Sequence, residues 1–430
     1  MSPSESRLPH YRTRVVDAEL DALLPFLPAL SLEGPKGVGK TATVTERAGT
    51  VVRLDDPAVL EVIVARPARL ADGVAPIVID EWQRFPVSWD VVRRAVDEDP
   101  SPGRFLLTGS ATPIDKPTHS GAGRIVPIRM RPLTLAERGV ATPTVSLATL
   151  LTGARPTLGG TSDVTLEKYT SEILAGGFPG MRFDDPRSRR VALDGYIERI
   201  VDSDLPELGV TVRRPATLRR WMRAYAAATA TTTSYDKIRN AATGGEDDKP
   251  AKTTTIGYRE ALSRLWILDD LDAWAPTRNH LRRLVGAPKH HLVDPALAAR
   301  LLGLDATALL AGQGPGILLR DGAFLGALFE SLATQAVRVF AQAAEASVAH
   351  LRTMGGEREV DLLSVRGDQR VVAFEVKLTE TVSDGDIRHL RWLAGMLGED
   401  LLDAVVLTTG RQAYRRTDGV GVVPLALLGP

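Results

Sequence analysis

The segment Gly34-Pro35-Lys36-Gly37-Val38-Gly39-Lys40-Thr41 constrains this chain more than any other. It fits G-x-x-x-x-G-K-[ST] without a gap. The apolar run Leu30–Glu33 precedes it, and a helix-forming stretch from Thr41 through Val44 follows. A strand, a glycine-rich turn and a helix in that order make a phosphate-binding loop. Glycines let backbone N–H groups turn inward around phosphate oxygens, and the helix N-terminus adds partial positive charge. Lys40 reaches the β- and γ-phosphates as a compact point charge, a role planar arginine fills poorly. Thr41 offers a hydroxyl to Mg²⁺. All eight residues, from Gly34 to Thr41, are therefore candidate nucleotide contacts.

A partner segment follows at Pro76-Ile77-Val78-Ile79-Asp80-Glu81. An apolar strand ending in two carboxylates is common in isolation, but downstream of such a loop it has a role. Asp80 is placed to hold Mg²⁺ through its water shell, and Glu81 to orient and activate an attacking water. A third strand, Phe105-Leu106-Leu107-Thr108-Gly109-Ser110, ends in hydroxyls. Thr108 and Ser110 are candidates to contact the γ-phosphate or the water. Arg124, in a glycine-rich loop, is a candidate arginine finger.

The pattern divides the chain into three. In residues 1–132, Leu30–Glu33, Val51–Leu54, Ile77–Ile79 and Phe105–Leu107 read as buried strands alternating with helices, which predicts a parallel α/β sheet. Residues 133–311 turn helical, with Val191–Val201, Pro215–Ala230 and Thr255–Leu265 carrying arginines on their polar positions. The glycine- and aspartate-rich stretch Ala241–Lys252 reads as a polar loop. Residues 312–430 are α/β again: helices at Leu325–Ala344 and Ile387–Leu397, strands at Val360–Val365, Val371–Val376 and Ala404–Thr408. A chain of 430 residues suits two to four domains of roughly 100–200 residues each. Met1–Arg14 is polar and lacks the apolar stretch of a signal peptide. No uninterrupted apolar run reaches the roughly 18 residues that span a bilayer. The expectation is a cytoplasmic protein.

Composition narrows the chemistry. The chain has 53 Lys+Arg and 53 Asp+Glu, so no strong overall field draws it to nucleic acid. Cysteine is absent, which removes disulfides, Cys-ligated zinc, iron–sulfur clusters and thiol nucleophiles. Only nine of the 53 cations are lysines. Each lysine therefore poses the question of why arginine does not serve.

A second acidic constellation lies near the C-terminus. Asp361 and Phe374-Glu375-Val376-Lys377 flank the hairpin-type turn Arg366-Gly367-Asp368-Gln369. Pairing across it sets Asp361 opposite or next to Phe374 and Glu375, and puts Glu375 and Lys377 on one face of their strand. Glu330, in a predicted helix, supplies a third carboxylate. Such a set can bind Mg²⁺ through Asp361 and Glu375, with Lys377 placing a water or a phosphate oxygen for phosphodiester cleavage. A surface charge pair on a hairpin is the competing reading. The strand is too apolar for a solvated edge, and Lys377 is one of the few lysines. Two basic clusters, Arg213/Arg214/Arg219/Arg220/Arg223 and Arg278/His280/Arg282/Arg283/Lys289, could track a phosphate backbone or be solvated faces. His290 and His291 read as surface residues.

Taken in order, these features resemble bacterial AAA-type P-loop ATPases with a C-terminal winged-helix-like part and a restriction-endonuclease-like region of the PD-(D/E)xK type. The similarity spans nearly the whole chain. It is carried by Tyr11-x-x-Arg14, the Walker A loop Gly34–Thr41, the Walker B strand Ile77–Glu81, the sensor-like Leu107–Ser110, and Gly123-Arg124. Further along it rests on Arg131–Glu137, Gly176–Pro179, Leu265–Trp274, Lys289–Asp294, Leu328–Glu330, Glu359–Asp361 and Glu375–Lys377. The resemblance implies an α/β fold: an N-terminal AAA-type parallel sheet, a central helical and winged-helix region, and a C-terminal endonuclease-like α/β domain. It implies ATP and Mg²⁺ as cofactors and supports Arg124 as finger or sensor, in cis or from a neighbouring copy in a homo-oligomer. It also suggests that Ser234–Lys237 and Thr253–Leu265 are the two helices of a helix-turn-helix, with the insertion Ala241–Lys252 lengthening their connection.

Besides a signalling NTPase with no nucleic-acid partner, two readings of function stay open. In one, an ATPase controls a C-terminal domain that cuts nucleic acid through Glu330, Asp361, Glu375 and Lys377. In the other, the ATPase is a switch and the C-terminal domain binds DNA or another partner without catalysis. Convergence of Glu330, Asp361 and Glu375 within metal-bridging reach discriminates them.

Overall fold

The structure is a computed structural model; it describes residues 11–111, 121–210, 212, 214–243, 249–276, 286–311, 322–353 and 355–430. The first sheet holds β1 (Ala29–Glu33), β2 (Thr50–Arg53), β3 (Ile77–Asp80), β4 (Phe105–Gly109) and β5 (Ile125–Arg129), in the order β2-β3-β4-β1-β5. Every pairing is parallel. The inner strands are short continuous apolar runs because helices cover both faces, and β3 and β4 are buried throughout. All five C-terminal strand ends emerge at one edge. Ligands bind at that edge in open parallel sheets.

The middle region is mostly helical, with Leu166–Ala175, Pro186–Arg199, Pro215–Ala227, Tyr235–Ala241, Lys252–Arg264 and Pro295–Leu301. Side-chain caps fix several starts: Thr165, Asp185, Ser234 and Asp294 each accept an N–H from the first turn. The expectation of an all-helical region needs amending. An antiparallel ribbon joins Leu268 to Leu292 and Leu271 to Lys289. Its residues carry no long apolar alternation, so the sequence pattern did not expose it. A two-residue strand, β6 (Val145–Ser146), follows the first sheet.

The C-terminal region opens with the helix Gly322–Ala343. Then come β7 (Ser347–Arg352), β8 (Glu359–Val365), β9 (Val371–Lys377), the helix Arg388–Leu397, β10 (Leu401–Thr408), β11 (Tyr414–Arg415), β12 (Gly421–Pro424) and β13 (Leu428–Gly429). The sheet runs β11-β12-β10-β9-β8-β7. β7, β8 and β9 form an antiparallel meander, and β10 adds parallel to β9.

Beside clusters of their own in the first and last regions, the three regions share a core. One apolar cluster runs from Leu30 and Leu32 in β1 through Trp221 and Leu297 to Phe329, Phe374 and Leu407. β13 returns to pair with β6, which ties the chain's end to the segment after the first sheet. Among the described residues, Ala323–Ala343 is long and apolar enough by length and composition to cross a membrane, and most of it is buried inside the protein. Its apolar positions Leu328, Phe329, Leu332, Ala336, Val337 and Phe340 line the shared core.

Candidate functional site

The phosphate-type loop leaves β1 at Glu33, which is level with Gly109 at the end of β4 and Arg129 at the end of β5. Close approach requires glycine at position 34, where a Cβ would stand 2.3 Å from the Met130 carbonyl oxygen. Gly39, at φ +108, takes the N-cap position of the helix Lys40–Thr45 and offers no capping side chain. Lys40 is 4% exposed, and its Nζ donates to the carbonyls of Gly34 and Pro35, both at 2.9 Å. Burial lowers its pKa to about 8, against the opposing pull of Glu81 and Asp80.

Around it stand the expected acidic and hydroxyl groups. Thr41 Oγ1 donates to Asp80 Oδ1 at 2.8 Å, and Thr108 donates to the same oxygen. The Glu81 N–H donates to Thr108 Oγ1 at 3.1 Å. Glu81 stands at φ +55, and its Oε2 accepts from Ser110 Oγ at 2.9 Å and from Gln83 Nε2. The structure therefore brings Lys40, Thr41, Asp80, Glu81, Thr108 and Ser110 together. Thr108 and Ser110 hold carboxylates. Gln83, which sequence reasoning missed, completes the hold on Glu81.

Tyr11 and Arg14 brace this loop. Arg14 is buried and donates to the carbonyls of Val38 at 2.9 Å and Arg131 at 2.7 Å, while its Nε meets Glu137 at 3.0 Å. The Tyr11 hydroxyl contacts Asp17 at 2.8 Å and Thr43 at 3.0 Å. Beside them opens a cleft of about 750 Å³, lined by Tyr11, Arg12, Gly39, Thr43, Arg138 and Arg182 among others.

Two expected contacts lie elsewhere. Arg124 immediately precedes β5, which starts level with Ala29, whereas the loop follows Glu33 at the far end of β1. Arg124 pairs with Asp97 at 2.8 Å, so it does not face the loop of its own chain. Strand direction, which a linear motif does not encode, decides this. The arginine at the loop's end of β5 is Arg129, whose guanidinium lies 3.8 Å from the Trp266 ring centroid. Burial lowers the Arg129 pKa to about 9, and its Nη1 is buried without a hydrogen-bond partner. Lys36 turns from the loop to the middle region, meeting Asp204 at 2.6 Å and Glu207 at 2.9 Å.

The C-terminal carboxylates have a different setting. Asp361 lies one residue beyond the Leu362–Phe374 pair, and its Oδ2 accepts the Val376 N–H at 2.9 Å. Glu375 Oε2 meets Lys377 Nζ at 2.7 Å. Lys289 Nζ contacts Glu330 at 2.7 Å, Glu359 at 2.9 Å and Asp361 at 3.4 Å. Desolvation, then the Asp361 charge, raises Glu330 and Glu375 to about 8 each. Burial alone would raise Asp361 too, but Lys289 and Lys377 hold it below the usual carboxylate range. Among the described residues, no group of three or more His, Cys, Asp or Glu is arranged to hold a metal ion. Ammonium groups stand against the carboxylates expected to ligate Mg²⁺: Lys289 at Glu330 and Asp361, and Lys377 at Asp361 and Glu375.

Lys289 thus leaves the basic cluster in which the sequence grouped it. Arg213, Arg278, His280, Arg282 and Arg283 lie outside the described residues. His290 and His291, expected at the surface, are buried at 1% and 2% exposure. His290 Nε2 lies 2.7 Å from the Thr233 carbonyl, and His291 Nδ1 lies 3.2 Å from Ser331 Oγ.

Residues 27–138 match the AAA domain family. That match supports a P-loop AAA-type ATPase, with ATP binding and hydrolysis as the activity and ATP with Mg²⁺ as the expected cofactors. Residues 166–308 and 325–428 match two domains of unknown function (DUF8612 and DUF4143). Uncharacterized proteins of Mycobacterium bovis and Mycobacterium tuberculosis are each 26% identical over 413 residues, covering 95% of this chain and 82% of theirs. A solved Walker-type ATPase of Pyrococcus abyssi is similar at 16% identity and a TM-score of 0.41, covering 70% of this chain and 99% of its own.

Proposed function

We propose that the chain is a Mg²⁺-dependent ATPase that works as a switch, in which nucleotide state controls DNA binding by the middle and C-terminal regions without cutting. The observation that carries the ATPase reading is the convergence of Thr41, Asp80 and Glu81 at adjoining strand ends beside Lys40. The donor set fits Mg²⁺–ATP: a hydroxyl and a carboxylate 2.8 Å apart suit a hard cation. Thr41 and Asp80 would hold the ion, which when bound neutralises charge on the β- and γ-phosphates. Lys40 exchanges its two carbonyl acceptors for phosphate oxygens. Glu81 orients the attacking water, and Ser110 and Gln83 fix its carboxylate. Thr108 is a positioning residue that acts through Asp80. Arg129 is the cis arginine of this site, and a role for Arg124 requires a neighbouring copy. The cleft beside Tyr11 suits the nucleoside.

Coupling has a physical route. Asp269 of the middle ribbon pairs with Arg131, which follows β5, at 2.8 Å and with Arg338 of the long C-terminal helix at 3.5 Å. Gln342 of that helix donates to the Arg129 carbonyl at 2.9 Å. DNA binding is supported by two packed helices, Tyr235–Ala241 and Lys252–Arg264, followed by the antiparallel ribbon, an order that suits a helix-turn-helix with a wing.

The nuclease reading has one specific observation in its favour. The antiparallel β8–β9 pair sets Asp361 beside the Glu375 strand, as the endonuclease resemblance implies. Against it, Lys289 holds Glu330, Glu359 and Asp361, and Lys377 holds Glu375. ATP turnover in Lys40→Ala and Glu81→Gln tests the ATPase; unchanged turnover in both would sink it. Filter binding of DNA over a salt series tests the partner, which fails if retention has no salt slope.

A further inference from the structure

The geometry points to Lys289 as a built-in cation on Glu330, Glu359 and Asp361, beside the Asp361–Glu375 pair where the nuclease-type resemblance puts a metal ion, so that the middle region closes Asp361 to Mg²⁺. This rests on the reading of the C-terminal region given above. Three carboxylates from two elements, Glu330 on the long helix and Glu359 and Asp361 on β8, face one ammonium at 2.7, 2.9 and 3.4 Å. The Lys289 side chain is 1% exposed. It enters from outside the domain it neutralises, on the ribbon of the middle region.

Its backbone is fixed on both sides. The Lys289 N–H donates to the Leu271 carbonyl at 2.8 Å, and its own carbonyl accepts from Leu271 at 2.9 Å. The next two residues are anchored through their rings, His290 to Thr233 and His291 to Ser331, the neighbour of Glu330. The backbone that carries the ammonium is therefore held in place. Of the remaining oxygens, Asp361 Oδ2 accepts the Val376 N–H at 2.9 Å and Glu375 Oε2 meets Lys377 at 2.7 Å, while Glu375 Oε1 is buried without a hydrogen-bond partner. A divalent ion needs a carboxylate oxygen at about 2.0–2.1 Å and a shell of waters. An ammonium already bonded to the same oxygens excludes both by space and by charge. Arginine would not serve at 289, because a planar fork does not converge on three acceptors as a point charge does.

The test uses the full chain without nucleotide, carrying Asp80→Asn so that the ATP-site ion does not contribute. Mn²⁺ binding is followed by electron paramagnetic resonance. We expect no bound Mn²⁺ at millimolar metal in this parent, a gain of one Mn²⁺ per chain with Lys289→Ala, and loss of that gain on adding Asp361→Asn. Mn²⁺ held by the parent and lost with Asp361→Asn would overturn the proposal, as would a folded Lys289→Ala that binds none. Should Lys289→Ala not fold, reductive methylation of the unaltered chain, mapped by mass spectrometry, decides. Lys289 stays unmodified with and without millimolar Mg²⁺ while exposed Lys168 and Lys252 react; Mg²⁺-induced labelling of Lys289 would overturn the proposal. Metal uptake without DNA cleavage would defeat this inference alone. DNA cleavage would defeat the switch reading.

Discussion

Lys40 and Lys289 are both almost wholly buried beside carboxylates at the ends of strands, yet they differ in what holds them. Lys40 is bonded to two neutral carbonyls, and burial lowers its pKa to about 8. Burial pulls Lys289 in the same direction, but Glu330, Asp361 and Glu359 together reverse the pull and raise it. Lys40 can trade weak acceptors for phosphate oxygens. Lys289 has no reason to trade. The difference separates a ligand site from an internal ion cluster built of the same residue types.

ATP turnover should respond most strongly. Lys40→Ala or Glu81→Gln should lower steady-state hydrolysis by about 10²-fold or more. Stability should respond in the opposite order. Lys289→Ala leaves carboxylates buried without their cation and should cost about 3–5 kcal/mol in denaturant unfolding. Lys40→Ala removes an ammonium held only by carbonyls and should cost far less; equal costs would erase the distinction.

Smaller effects follow from protonation. Phosphates favour charged Lys40, so nucleotide affinity should weaken by up to about tenfold per pH unit above pH 8, measured by a pH series of binding titrations. At the other cluster, Glu330 is raised from 4.5 to about 8, so the folded chain binds a proton that the unfolded chain has lost. That contribution is complete below pH 4.5 and is lost as pH rises through about 8. Melting temperature should therefore fall between pH 6 and 9, and Glu330→Gln should remove its share of the fall, leaving that of Glu375. An unchanged slope in Glu330→Gln would place the titration elsewhere.

The sequence exposes features whose physics is local. The loop Gly34–Thr41, the strand ending in Asp80-Glu81 and the hairpin bringing Asp361 beside the Glu375 strand are each written within a few residues. What it hides is long-range. Lys36 meets Asp204 and Glu207, 168 and 171 positions away, and Lys289 meets Glu330 and Asp361 at separations of 41 and 72. Arg124 failed as a cis contact because parallel register, not loop composition, decides which end of β5 faces the loop. His290 and His291 sit in a ribbon whose partners are two other segments, so their burial left no periodic trace. The scarcity of lysine was the usable signal. It singled out Lys40 and Lys377, and the same question applied to Lys289 would have found the third.

Phosphate chemistry would then be confined to the P-loop. Incubating the full chain with ATP, Mg²⁺ and DNA in one tube reads phosphate release and DNA integrity together. ATP turnover should disappear in Glu81→Gln, with DNA intact throughout. Mg²⁺-dependent DNA cuts that persist in Glu81→Gln and vanish in Asp361→Ala would put a second phosphate-cutting site in the C-terminal region.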